Sequence, residues 1–308
     1  MMKIKYVDKI FRSNSLTIIQ TANQIIADYQ AQGFDLTLRQ LYYQMVARDL
    51  IPNKQSEYKR IGSIINDARL AGLIDWNAIV DRTRAVRTNP HWSTPKEILE
   101  SAAYSYLEDR WGNQAWRPEV WIEKDALIGV IANICSEYDV PYFSCRGYSS
   151  QSAMWEAGHN RLRKNYHANQ ATLIIHLADH DPSGIDMTRD IDERLELFAG
   201  WGKHDVQRIA LNINQVHKFN PPPNPAKITD SRAKAYIAEF GSDSWELDAL
   251  DPNVLIGLIQ STLDNIIDPD KWDEIEQRIA EHKKTLQAIA DNYEELQDGI
   301  NGDDDWEA

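Results

Sequence analysis

Between residues 119 and 212, unbroken apolar runs alternate with stretches in which apolar residues recur every three or four positions. "EVWIEK", "VPYFSCRG", "ATLIIHLADHD" and "DVQRIALN" have the first pattern, that of strands. "DALIGVIANICSEYD", "SSQSAMWEAGHNRLRKNY" and "SGIDMTRDIDERLELFAG" lie between them and have the second, that of helices. Strands alternating with helices of this length predict βαβ units on a mostly parallel sheet. Ligands of such sheets gather at the carboxyl ends of the strands, where Glu123 and the pair Asp179/Asp181 stand.

The first third has a different rhythm. "SLTIIQTANQIIADYQAQGF" carries a helical stripe at Ile18, Ile19, Ala22, Ile25 and Ile26, and Gly33 follows as a stop. "TLRQLYYQMVARDL" predicts a second helix with Thr37 as N-cap, and "SEYKRIGSIINDARLAG" a third ending near Gly72. "IDWNAIVDRTRAV" alternates as a strand pair does. Three helices and a β-wing predict a winged helix whose third helix enters the major groove; a small helical bundle with a solvated face fits the same pattern. A DNA-facing side would present Lys59, Arg60, Ser63, Asn66 and Arg69 from the third helix and Arg82 and Arg84 from the wing.

The segment 89–118, with Pro90, Pro95 and Pro118 around one short helix, predicts an inter-domain linker. The expected order is thus 1–88, linker 89–118, an α/β domain over 119–215, and an extension over 216–308. Within the extension "NPPPNPAKITD" must be an extended loop, and "NVLIGLIQSTLDNIID" and "WDEIEQRIAEHKKTLQAIADNYEELQDGI" are amphipathic helices, most simply packed back onto the sheet.

Composition narrows what this fold can do. The chain has 308 residues, of which 43% are hydrophobic, enough for two ordinary cores. No apolar run reaches the ~20 residues of a membrane span, and the N-terminal residues lack a signal peptide's apolar block. A cytoplasmic protein without a membrane partner is expected. Cys135 and Cys145 form neither a CxxC motif nor a Cys/His cluster, so a zinc site or a disulfide framework is not expected. The net charge of −14 is uneven: the first hundred residues carry +4, the second hundred −6 and the remainder −12, including the tail "DDDWEA". Only the first third can offer phosphates a basic face.

The acids raise the question of chemistry. Positions 179 and 181 of a strand point to one side, so their carboxylates can share a hard cation such as Mg2+. Glu123 is a third acid within reach if its strand is adjacent. Asp181 before Pro182 also suits a helix N-cap, which accounts for Asp181 but leaves Asp179 and Glu123 without a purpose. His176 and His180 stand four residues apart on a strand, about 13 Å, and are expected to be packed rather than to share a ligand. "RGYSS" offers backbone amides and Arg146 to a phosphate.

"VWIEKDAL" followed by "FSCRGYSS" and "LADHDPSGID" resembles the Toprim domain. The spacing is most similar to the A subunit of topoisomerase VI and its relative that makes meiotic double-strand breaks. In that family a winged helix precedes the Toprim domain and carries a nucleophilic tyrosine in an Arg-x-x-Tyr-Tyr type motif, matched here by "TLRQLYYQ". Leu38, Leu41, Tyr42 and Met45 form the apolar stripe of that helix, which makes Tyr42 core; Tyr43 lies off it, with Arg39 four residues earlier on the same face. The resemblance implies Mg2+ on Glu123, Asp179 and Asp181, attack by Tyr43 supported by Arg39, Glu123 exchanging a proton with the 3′ oxygen, and a 5′-phosphotyrosyl link. It implies double-stranded DNA as substrate and a homodimer in which one protomer's tyrosine meets the partner's acids. An ATPase subunit of the B type would be a separate chain. A Toprim nuclease using water and a non-catalytic DNA-binding subunit are the alternatives.

Overall fold

The computed structural model describes residues 3–80, 89–200, 204–226 and 228–302. They form a mixed α/β protein whose main sheet has four parallel strands.

Helices α1 (Ser13–Gln30), α2 (Leu38–Ala47) and α3 (Gln55–Leu70) pack on a common core of Ile19, Ile25, Leu41, Ile61 and Ile65. Thr37 caps α2 in a reciprocal box: its hydroxyl accepts from the Gln40 amide and the Gln40 side chain accepts from the Thr37 amide. Gly72 follows α3 at φ +73°, and a Cβ there would meet the Lys5 backbone at 3.0 Å. The expected strand pair takes another form in its described part. Trp76–Ala78 is a 3-10 turn, and Ile79 makes a lone parallel bridge to Leu36. The rest of the expected wing, with Arg82 and Arg84, lies outside the described residues.

After α4 (Pro95–Ser105) come β1 (Trp116–Ile122), α5 (Ile128–Glu137), β2 (Tyr142–Ser144), α6 (Gln151–Trp155), α7 (Arg163–His167), β3 (Ala171–Leu177), α8 (Pro182–Ala199) and β4 (His204–Ala210). Residues Glu156–Leu162, between α6 and α7, form a π-helical turn. The sheet order is β2-β1-β3-β4. The apolar runs of β1 and β3 are the two central strands, and Trp121, Ile174, Met187 and Ile191 knit the sheet to α8. The chain continues as α9 (Ile213–Phe219), β5 (Asn224–Pro225), α10 (Ala233–Phe240), β6 (Asp243–Ser244), α11 (Pro252–Asp264), α12 (Pro269–Asp291) and α13 (Tyr293–Gly302), with β5 and β6 paired antiparallel.

Two compact units cut across the chain-order segments. Met1–Ala85 and Pro118–Asn265 make one; Val86–Arg117 and Ile266–Ala308 make the other. The helical first third and the sheet therefore share a unit. α11 packs back against α5 and β4 as expected, whereas α12 packs on α4, with Trp111 and Trp272 edge to face at 5.3 Å. The segment expected as a linker has a packing partner because α12 offers it an apolar face.

Candidate functional site

Glu123 follows β1 and Asp179 follows β3, and since these strands are neighbours their ends meet. The Glu123 amide donates to the Leu177 carbonyl at 2.8 Å, and Glu123 Oε2 accepts from the Asp179 amide at 2.9 Å. Asp181 does what the Asp-Pro step predicts: it caps α8, its Oδ1 accepting from the Gly184 amide at 2.6 Å, with Pro182 in the first turn. Gly184 is required by a close approach, because a Cβ would lie 2.1 Å from the Asp179 carbonyl oxygen.

Lys124 stands between these acids and a segment far along the chain. Its ammonium donates to Asp179 Oδ1 at 2.8 Å, to Asp248 Oδ1 at 3.0 Å and to Glu246. Asp179 Oδ1 also accepts from the Leu247 amide at 2.7 Å. On the other side Arg39 donates from Nε to Asp248 Oδ2 at 2.7 Å and from Nη2 to Glu246 at 3.0 Å. The same Nη2 reaches the Tyr43 hydroxyl at 3.3 Å, and the guanidinium carbon lies 5.3 Å from the centre of that ring. Tyr43, Arg39, Asp248, Glu246, Lys124 and Asp179 are thus one connected network.

Tyr43, Arg39, Asp179, Asp181 and Glu246 line a single cleft of about 430 Å3, and Glu123, Lys124 and Asp125 line its continuation. No second copy of the chain is needed to bring the tyrosine to the acids, in contrast to the partner-shared arrangement the family resemblance implies. α2 packs directly on the 3-10 turn Leu247–Ala249, so the two halves of the site are clasped within one unit. Tyr43, although off the apolar stripe of α2, is buried there too, 7% exposed beside Tyr42 at 3%. The two hydroxyls still differ: that of Tyr42 accepts from the Lys54 amide at 2.9 Å and lies within reach of Asn53, whereas Tyr43 has Arg39.

The charges follow from burial and pairing. Burial lifts the Asp179 carboxyl well above the carboxylate range against the pull of Lys124, and it raises that of Glu123. Burial acts in the same direction on Glu246, but Lys124 overcomes it and holds that carboxyl down at about 2. Burial, reinforced by the Glu246 carboxylate, pushes the Tyr43 phenol up to about 12. Behind the acids Arg208 of β4 is half-buried, and its loss of solvent lowers it to about 10. Its guanidinium donates to the carbonyls of Gly184, Ala178, Asp179 and Leu211 at 2.7, 3.1, 2.6 and 3.1 Å. Nearby His176 is buried and kept neutral, its pKa pushed down to about 3 by burial and by Arg208. His180, also buried as expected, bonds Tyr236 through Nδ1 at 2.8 Å and packs on Phe240 and Trp245.

A hard cation is matched in donor chemistry by Glu123, Asp179 and Asp181, which share the cleft. Among the described residues, however, no three acidic, histidine or cysteine side chains converge closely enough to hold a metal ion in this arrangement. The Lys124 ammonium is the cation that contacts Asp179. A scan of protein-family models matches none, and a search of curated proteins finds no match.

The expected DNA-facing residues separate. Lys59, Ser63 and Asn66 are exposed on α3, and Arg60 is exposed but paired with Glu57 at 2.5 Å. Arg69 turns inward instead, stacking over Trp76 at 4.6 Å and donating to its carbonyl at 2.8 Å, which leaves its guanidinium half-buried. Arg146 is exposed and paired with Asp125 at 2.6 Å, while its amide donates to the Glu123 carbonyl at 3.0 Å. Lys124, Arg208, Glu246 and Asp248 were not anticipated. Lys124 adjoins Glu123 in the motif, which is a usable signal; Glu246 precedes a 3-10 turn and Asp248 sits within it, with no periodicity to mark either.

Proposed function

We propose that the chain is a DNA-cleaving transesterase of the topoisomerase VI A type, with Tyr43 as nucleophile. The observation that carries this is the one cleft shared by Tyr43, Arg39, Asp179 and Asp181. The Tyr43 oxygen forms a bond to phosphorus of a DNA phosphodiester, the bond from phosphorus to the 3′ oxygen breaks, and a 5′-phosphotyrosyl link and a 3′-hydroxyl result. The phenol proton leaves to water. Arg39, which already donates to the phenol oxygen, favours the phenolate and opposes the burial that keeps the hydroxyl protonated. Glu123, whose carboxyl pKa burial raises, is suited to exchange a proton with the departing 3′ oxygen. Glu123, Asp179 and Asp181 are the residues that would hold Mg2+, which when bound neutralises charge on the phosphate. Lys59, Arg60, Ser63 and Asn66 on α3 would carry the flanking double-stranded DNA, and Arg146 a neighbouring phosphate. A homodimer would hold two such clefts, one per strand, and a B-type ATPase subunit would supply strand passage.

The test is a supercoiled plasmid incubated with protein and Mg2+ and stopped with SDS. DNA ends carrying protein, lost in Tyr43→Phe and kept in Tyr42→Phe, are the expected result. Free ends that persist in Tyr43→Phe would identify a nuclease using water, and binding without cleavage would identify a non-catalytic subunit. Because each cleft is built within one chain, a mixture of Tyr43→Phe and Glu123→Gln should stay inactive after subunit exchange; recovered nicking would put each tyrosine in its partner's cleft.

A further inference from the structure

The cleft is longer than its chemistry requires. Beyond Tyr43 and Asp181 its walls come from two segments distant in the chain: residues 53–58, which turn into α3, and the β5–β6 ribbon with the Trp245 that follows it. Both are fixed in place. The Asn53 side-chain amide donates to Asn224 Oδ1 at 2.6 Å, and the Lys54 amide is held by the Tyr42 hydroxyl at 2.9 Å. Trp245 is clamped through its backbone, which exchanges hydrogen bonds of 2.8 and 2.9 Å with His180 beside Asp181. Its indole and the Tyr58 ring are each only partly buried.

This end therefore offers two anchored aromatic side chains and the amide side chains of Asn53, Gln55 and Asn224, with the phosphate chemistry next door. Flat apolar surface plus groups that both donate and accept suits a nucleobase, whose face stacks and whose edge is read by amides. About 430 Å3 is within the range of small-ligand sites and is too little for a base pair with its stacked neighbours. We propose that this end of the cleft receives one unstacked base of the nucleic acid, adjacent to the phosphodiester at Tyr43, so that the substrate is single-stranded or locally opened at that nucleotide. A base within a duplex has its faces covered and its pairing edge occupied, and must leave the stack to enter such a site.

The inference rests on the cleft being a phosphodiester site, and the experiment separates the two. The full chain carrying Tyr43→Phe is titrated against a labelled single-stranded 12-mer, the same sequence as a duplex, and the duplex with one unpaired base, read by fluorescence anisotropy at fixed salt. The single strand and the unpaired-base duplex should bind about tenfold more tightly than the intact duplex. Trp245→Leu added to that protein should remove the difference, Trp245→Phe should keep most of it, and neither should change intact-duplex binding. Tyr58→Leu, near the start of α3, should weaken the same two ligands should Trp245→Leu fail to fold. Equal affinity for all three DNAs, or a preference untouched by Trp245→Leu and Tyr58→Leu, overturns the inference. A protein that forms the covalent adduct yet shows no such preference keeps the proposed chemistry and loses the base site; one with the preference but no adduct keeps the base site and loses the chemistry.

Discussion

The loop carrying Asp179 and Asp181 has a cation on each side, and the two are held in opposite ways. On the cleft side Lys124 contacts the carboxylates of Asp179, Asp248 and Glu246. On the far side Arg208 donates instead to four backbone carbonyls and to the Thr188 hydroxyl. Carboxylates can take up a proton when their cation is lost; carbonyls cannot. Lys124 is therefore a charge balance that responds to pH, whereas Arg208 is a fixed brace that also presents positive charge to Glu123 and Asp181. The hold of Arg208 on the backbone that aims the acids therefore does not depend on their ionisation.

Removing the brace should have the largest effect. Arg208→Met leaves the carbonyls of Ala178, Asp179 and Gly184 buried without this donor, and should cost more than about 3 kcal/mol in urea unfolding at neutral pH. Arg208→Lys should recover only part of this, because one ammonium cannot reach all of those oxygens. A loss under 1 kcal/mol in Arg208→Met would mean that the loop holds its shape unaided.

Lys124→Met should cost less, about 2 kcal/mol at pH 7, and the cost should depend on pH. Lys124 holds Glu246 at about 2, below its unfolded value, so this contribution is fully present above that unfolded value. It is lost as pH falls through the range from about 4 to 2. The gap between parent and variant, followed by urea midpoints, should therefore be widest near neutrality and close in acid. A gap that stays constant to pH 3 would show that Lys124 acts through packing alone.

The smallest effect separates the two roles of Asp181. Asp181→Ala should lose about 1 kcal/mol with the cap, while Asp181→Asn should keep the parent's stability, since asparagine caps as well. On the proposed chemistry, cleavage should fall severely in both. An Asp181→Asn protein with full cleavage would reduce this residue to a helix cap.

The α/β segment is legible in the sequence because its signals are local. The runs ending in Glu123 and Asp179 are the two central strands, and adjacency of their ends brings the acids together. The Arg39–Tyr43 contact likewise follows from helical spacing. The cleft's other wall is not legible in this way. β5 and β6 have two residues each, too few to show alternation, and Leu247–Ala249 is a single turn. The burial of Tyr43 depends on that turn packing against α2, and the inward turn of Arg69 on Trp76 being near enough to stack. Neither has a periodic signature, since each is decided by a partner and not by the residue's own helix.

The links that join nucleophile to acids span most of the chain: Arg39 reaches Glu246 and Asp248 across 207 and 209 positions. During synthesis Tyr43 leaves the ribosome first, Asp179 and Asp181 much later, and the residues that connect them later still. A nascent chain can fold α1 to α3 and then the sheet while its tyrosine and acids remain chemically separate. On the proposed activity, the chain gains the ability to cut DNA only when nearly the whole main unit has been made, and truncation before residue 246 removes it.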